Sequence, residues 1–144
     1  GFERARALRE SWRQLDAAGA RVAAIGQAEP ERTARYAQRR ELPPEITFLC
    51  DPDGLAYSAF GLLEGLPHQI LFRLPEAMQR RDIEAGRAVA RQRLEAGEPL
   101  VDSPWLMPGE FLVDTQGVVR MAYRYAHVFD MPETAMLLSA LRTL

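Results

Sequence analysis

The 144-residue sequence contains no lysine and no asparagine, so all 18 of its basic residues are arginine. That bias points to a high-GC bacterial genome and carries no chemistry. There is one cysteine, Cys50; a lone thiol excludes an internal disulfide framework and fits a reducing compartment. No apolar run reaches the length of a membrane span, and the opening residues carry no signal-peptide pattern. A membrane is therefore not an expected partner, and the cytoplasm is the expected location. With a net charge of -2 there is no basic footprint to neutralise phosphates, which excludes nucleic acid as well. Gly-rich phosphate loops and Gly-x-Ser-x-Gly are both absent. The two histidines, His68 and His127, are not spaced as a local metal pair, so neither a metal nor a cofactor is expected.

What is present is an ordinary globular composition, 47% apolar and 26% charged, enough for one core and one domain over 1–144. The sequence opens at Gly1 rather than Met, so a longer protein, and hence an N-terminally incomplete domain, is expected. Phe2, Ala5, Leu8, Trp12 and Leu15 recur at three- and four-residue steps, which predicts an amphipathic helix over 2–18 ended by Gly19. Val22-Ala23-Ala24-Ile25 is a continuous apolar run, the pattern of a strand buried on both faces. Pro30 opens a second helix to about Glu41 with Ala34 and Ala37 on its apolar face, and Pro43-Pro44 stops it. Residues 46–50 predict a second strand, and Asp51-Pro52-Asp53-Gly54 a turn whose aspartates cap a helix over 53–60. Segment 62–105 is less regular, with a helix expected at 86–96. Residues 111–114 and 118–123 read as a tight β-hairpin turning at Thr115-Gln116-Gly117, and Pro132 begins a last helix to Leu144. This order is α/β, with parallel strands and an antiparallel edge.

Three stretches resemble the peroxiredoxin-like AhpC/TSA family of the thioredoxin superfamily. They are 17–26 (Ala17-Ala18-Gly19 through Ala24-Ile25-Gly26), then 48–54 with Ala59-Phe60-Gly61, then Met107-Pro108-Gly109-Glu110-Phe111-Leu112-Val113-Asp114 with Gly117, Tyr123-Arg124 and Asp130-Met131-Pro132. In this order they span nearly the whole chain. The resemblance implies a thioredoxin-like three-layer sandwich with a mixed sheet, parallel strands plus the C-terminal hairpin, and a helical insertion at 62–105. It also implies a cysteine pair on a strand just before the first helix. Counting back from Leu8-Arg9-Glu10, Gly1 falls at or beside the second cysteine position, and neither cysteine is in the sequence. The strand that would carry them, placed by the family between 22–25 and 110–114, is missing too. Those two strands would then have exposed inner edges, so an upstream strand, or one from a partner chain, is expected to fill the gap.

The resemblance further implies a substrate groove at Met107, Pro108, Gly109 and Arg124, with Pro108 in the cis form that only about 5–6% of such bonds adopt. A trans proline opening an edge strand is the plainer alternative. An arginine such as Arg124 near a thiolate would stabilise it; ordinary solvated surface is the plainer reading of Arg124 and His127, and a loop that of His68. Cys50 sits at the C-terminal end of a parallel strand, where open α/β sheets place ligands. It is either a reactive or resolving thiol or a small buried hydrophobe, and the second is favoured, because no adjacent cation or helix N-terminus in the sequence supplies the field a nucleophilic thiolate needs. Segment 62–105, with Leu71, Phe72 and Trp105, is a lid, a dimer surface or a packed helical insertion.

Two functions follow. One is a thiol-based redox protein, reducing peroxide or disulfides through upstream cysteines with a thiol reductant, a peroxide or protein thiol as substrate, and a homodimer as one expected assembly. The other is a non-catalytic thioredoxin-like binding or assembly module.

Overall fold

The computed structural model describes residues 2–66, 69–70, 91, 95, 103 and 105–144, the side chains of residues 2 and 3 excepted. The expected positions of His68, Leu71 and Phe72 lie outside these, as does the side chain of Phe2. Of the expected helix at 86–96, Arg91 and Glu95 are described, and both are helical.

Helix α1 covers Phe2–Ala17. Its inner face is the one the spacing predicts: Ala5 and Leu15 are buried, Leu8 and Trp12 half-buried. Ser11 joins them, its hydroxyl satisfied by donating to the Ala7 carbonyl at 2.6 Å. The helix ends in a Schellman arrangement, with the Gly19 N–H on the Asp16 carbonyl (2.8 Å) and the Ala20 N–H on the Leu15 carbonyl (3.0 Å). Gly19 stands at φ +84°, a conformation glycine adopts without steric cost.

Strand β1 (Ala23–Gly26), helix α2 (Pro30–Arg39) and strand β2 (Thr47–Cys50) form a β–α–β unit with parallel strands in register from Ala23↔Thr47 to Gly26↔Cys50. α2 packs on β2. Its buried residue is Thr33, whereas Ala34 is exposed and Ala37 half-buried, so the inner face is rotated from the expected one. The expectation that residues 22–25 are buried on both faces fails. Burial alternates along both strands: Ala24, Gly26, Phe48 and Cys50 face inward, while Ile25 and Leu49, cross-strand partners, remain 36% and 47% exposed. A continuous apolar run cannot report this, because alternation is visible in sequence only when the open face is polar.

Helix α3 (Leu55–Ala59) follows, then a short antiparallel contact in which the Gly65 N–H donates to the Trp105 carbonyl (2.7 Å) and the Met107 N–H to the Leu63 carbonyl (3.1 Å). Strands β3 (Gly109–Val113) and β4 (Val119–Arg124) make the hairpin, paired from Gly109↔Arg124 to Leu112↔Met121 with an irregularity at Val113. Helix α4 (Thr134–Leu141) closes the described chain and packs on α1. Helices α2, α3 and α4 are one to three residues shorter at their ends than the sequence suggests.

Among the described residues the strands therefore form two separate two-stranded sheets, β1–β2 and β3–β4, rather than one mixed sheet. Residues 22–25 are not paired with 110–114. Among the described residues, Ala5, Leu15, Ile46, Met107, Tyr125, Pro132 and Leu137 are buried apolar positions. No described helix is long and apolar enough to cross a membrane.

Candidate functional site

The carboxyl end of β2 is shaped by Asp51. Its carboxylate is buried and accepts from the backbone N–H groups of Leu55 (2.8 Å) and Tyr57 (3.0 Å), at the start of α3. This fulfils the expected capping by the Asp-Pro-Asp-Gly turn, with Asp51 as the acceptor. Beside it, a cleft of about 310 Å³ is lined by Gln27, Glu29, Arg32, Asp51, Asp53 and Ser103, among others. Several of its polar groups bond one another. Gln27 exchanges two hydrogen bonds with the Ser103 backbone (3.2 and 2.8 Å), and Glu29 pairs with Arg32.

Cys50, next to this cleft in sequence, does not line it. The thiol is half-buried, and its Sγ lies 3.4 Å from the Thr33 hydroxyl of α2. The site residues expected from the sequence are likewise absent from the cleft lining. Met107 is buried against Gly65, so closely that a Cβ on Gly65 would come 2.6 Å from the Met107 sulfur. Gly109 is hemmed in by Leu62, Phe111 and the Tyr123 carbonyl.

Pro108 corrects an expectation. There is no cis peptide bond among the described residues, so the Met107–Pro108 bond is trans. Both flanking backbone groups are engaged in that form: the Met107 N–H pairs with Leu63, and the Pro108 carbonyl accepts from the Tyr125 N–H at 3.1 Å. The chain thus runs from one antiparallel contact straight into β3, which an extended trans proline permits.

Arg124 is also not simply solvated. Its guanidinium donates to the Phe60 carbonyl (2.8 Å) and the Gly61 carbonyl (3.3 Å) and lies over the Phe111 ring at 5.5 Å. It serves as a side-chain cap on α3, whose end turns at Gly61 with φ +65°. His127 is half-buried, and its Nδ1 has no hydrogen-bond partner among the described residues. No group of three or more described His, Cys, Asp or Glu side chains is placed to hold a metal ion.

One cluster escaped the sequence reading. Glu110, second in β3, receives Arg4 of α1 on one carboxylate oxygen and the Tyr125 hydroxyl on the other. Burial pushes the Glu110 carboxyl above the ordinary glutamate range, against the opposing pull of the Tyr125 hydroxyl and the Arg4 charge. The Tyr125 hydroxyl is pushed far up, by burial first and then by its bond to Glu110. The only trace in sequence is a charged residue opening the run Phe111-Leu112-Val113. Nothing there points to a partner 106 positions away.

No curated protein and no solved structure matches the sequence. The family described as AhpC/TSA antioxidant enzyme matches over residues 7–127, well over half of the 144. That description carries thiol-based redox chemistry at a general level and designates no catalytic cysteine in this chain. The match takes in β1–β2, the Asp51 turn and the whole hairpin, and the chain belongs to the AhpC/TSA antioxidant enzyme family.

Proposed function

We propose that this chain is the scaffold of a thiol-dependent enzyme that reduces peroxides or protein disulfides through a cysteine pair upstream of Gly1. The family match over 7–127 carries this reading. The separation of the strands is compatible with it: β1 is hydrogen-bonded to β2 and β3 to β4, and an upstream strand between β1 and β3 would join them into one mixed sheet of a three-layer, single-domain fold. A thiolate at the N-terminus of α1 would be favoured by the free N–H groups and dipole there. It would attack one peroxide oxygen, forming an S–O bond and releasing hydroxide, which is protonated to water. The second thiol would then displace water from the sulfenic acid to give a disulfide, and an external thiol reductant would restore both cysteines. In this reading Cys50 is structural, the 107–109 segment with Arg124 borders the groove, and the protein works in the cytoplasm, as a monomer or a homodimer.

The test is hydrogen peroxide consumption by the full-length protein with dithiothreitol as reductant. Serine at the upstream cysteines abolishes turnover, and Cys50→Ser leaves it intact. Loss of turnover in Cys50→Ser would overturn the assignment of Cys50.

One observation favours the second reading, a non-catalytic binding module. The polar groups of the expected groove are engaged internally, Arg124 on the end of α3 and the Pro108 carbonyl on Tyr125. Full-length protein without thiol-dependent peroxide or disulfide reduction selects it.

A further inference from the structure

Glu110 draws together three elements that are far apart in sequence. Arg4 comes from the N-terminal part of α1, Glu110 from β3, and Tyr125 from the residue just after β4. The Arg4 and Glu110 side chains are 18% and 16% exposed, so the ion pair is largely withdrawn from water, and Tyr125 is buried beside it. Among the described residues, the remaining titratable group facing Glu110 is its cross-strand partner Tyr123, whose hydroxyl donates to Asp130 at 2.8 Å and whose ring meets Tyr125 edge-on. Arg4 is thus the positive charge set against this carboxylate among the described residues. Further along α1 the ties lead elsewhere, to α4 by packing and from Arg9 to Glu41 at 2.9 Å.

We propose that Arg4, Glu110 and Tyr125 form a proton-responsive latch that holds the start of α1 on the β3–β4 hairpin, tightening when Glu110 is neutral and loosening when it is ionised.

The direction follows from linkage. When α1 lifts away, Glu110 regains water and titrates as an ordinary glutamate. In the docked form burial outweighs the help from Arg4 and Tyr125, so the proton is held more tightly. Protonation therefore favours docking, and that contribution is lost as pH rises through the docked-state value. Both partners remain bonded to a neutral carboxyl, Arg4 to its carbonyl oxygen and Tyr125 to its hydroxyl. The latch goes beyond the redox reading and does not depend on it, since no cysteine takes part.

Amide hydrogen exchange of the full-length protein, read by mass spectrometry on peptides covering α1 and covering β1–β2, tests it. Rates are corrected for the intrinsic pH dependence of exchange, and the pH series runs upward from the ordinary glutamate value of about 4.3. Wild type should lose α1 protection several-fold as pH rises, while β1–β2 stays level. Glu110→Gln, a neutral isostere, should hold α1 protection level, at or above the wild-type value at the alkaline end. Tyr125→Phe removes a donor to the ionised carboxylate and should move the midpoint to higher pH. A wild-type α1 protection independent of pH overturns the latch, as does an unchanged slope in Glu110→Gln. Should Glu110→Gln not fold, an unmoved midpoint in Tyr125→Phe overturns it.

Discussion

Cross-strand neighbours in β1–β2 are small or apolar, from Ala23↔Thr47 to Gly26↔Cys50. The β3–β4 hairpin instead has Glu110 near one end and Asp114 at the turn, each bonded by donors on both carboxylate oxygens. Among the described residues both sheets have two strands, yet they are specified by different means. The parallel pair must be joined through α2, and its geometry is then held by packing on one face and by Asp51 at its carboxyl end. The hairpin closes through a turn in which Asp114 accepts from the N–H groups of Gln116 and Val118, both at 2.9 Å, and from Arg120 at 2.7 Å. Where the polar ties are local, a two-stranded sheet has its own register; where they are not, it depends on what covers it.

The sharpest way to break this comparison is Asp51→Ala. It leaves the part-buried N–H···O bonds of Leu55 and Tyr57 without their acceptor and should cost about 2 kcal/mol in urea unfolding. The damage should fall on the parallel half, with Cys50 labelled faster by a thiol reagent while hairpin amides keep their protection.

Gly109→Ala attacks the other half. Its Cβ would come 2.7 Å from Leu62 and 3.1 Å from the Tyr123 carbonyl. A strand that must shift to admit a methyl group should lose about 1–2 kcal/mol, seen as a lower urea midpoint with an unchanged m-value.

A smaller effect of opposite sign is expected at Glu41, which ends α2 with φ +50°. Glu41→Gly relieves a left-handed conformation at the expense of the exposed Arg9 pair, and should stabilise by about 0.5–1 kcal/mol. A measured loss would mean that the Arg9 tie outweighs the backbone strain.

The two hairpin carboxylates should also respond to acid in opposite directions. Asp114 is held below the ordinary carboxylate range, chiefly by the Val118 N–H and then by Arg120. Its stabilising contribution is complete above the ordinary aspartate value and is lost as pH falls through the depressed one. Acid should therefore loosen the turn, followed as faster corrected exchange at Gln116 and Val118, while protonation of Glu110 favours docking of α1. Asp114→Asn should flatten the turn's response alone.

Much of this was legible beforehand. The helix face of α1, its stop at Gly19, the capping turn at Asp51 and the hairpin with Gly117 all depend on residues within a few positions of one another. The family stretches were legible for the same reason, since they are local strings around those turns. The groove was not. Met107–Pro108 is trans, with the flanking backbone groups taken by Leu63 and Tyr125, and neither contact has a sequence signature. Arg124 reads as a surface cation until Phe60 and Gly61, more than sixty positions earlier, present their carbonyls to it.

By itself, then, the sequence determined the order of the described elements, the helix stop at Gly19, the capping turn at Asp51 and the family, because helix periodicity, turn chemistry and short motifs act over a handful of residues. The tertiary structure alone decided that β1–β2 leaves Ile25 and Leu49 open, that Thr33 meets Cys50, and that Arg4 reaches Glu110 across 106 positions. A buried charge has no preferred partner until the fold brings one within hydrogen-bonding distance, and desolvation, which sets how that charge behaves, exists only in the packed chain.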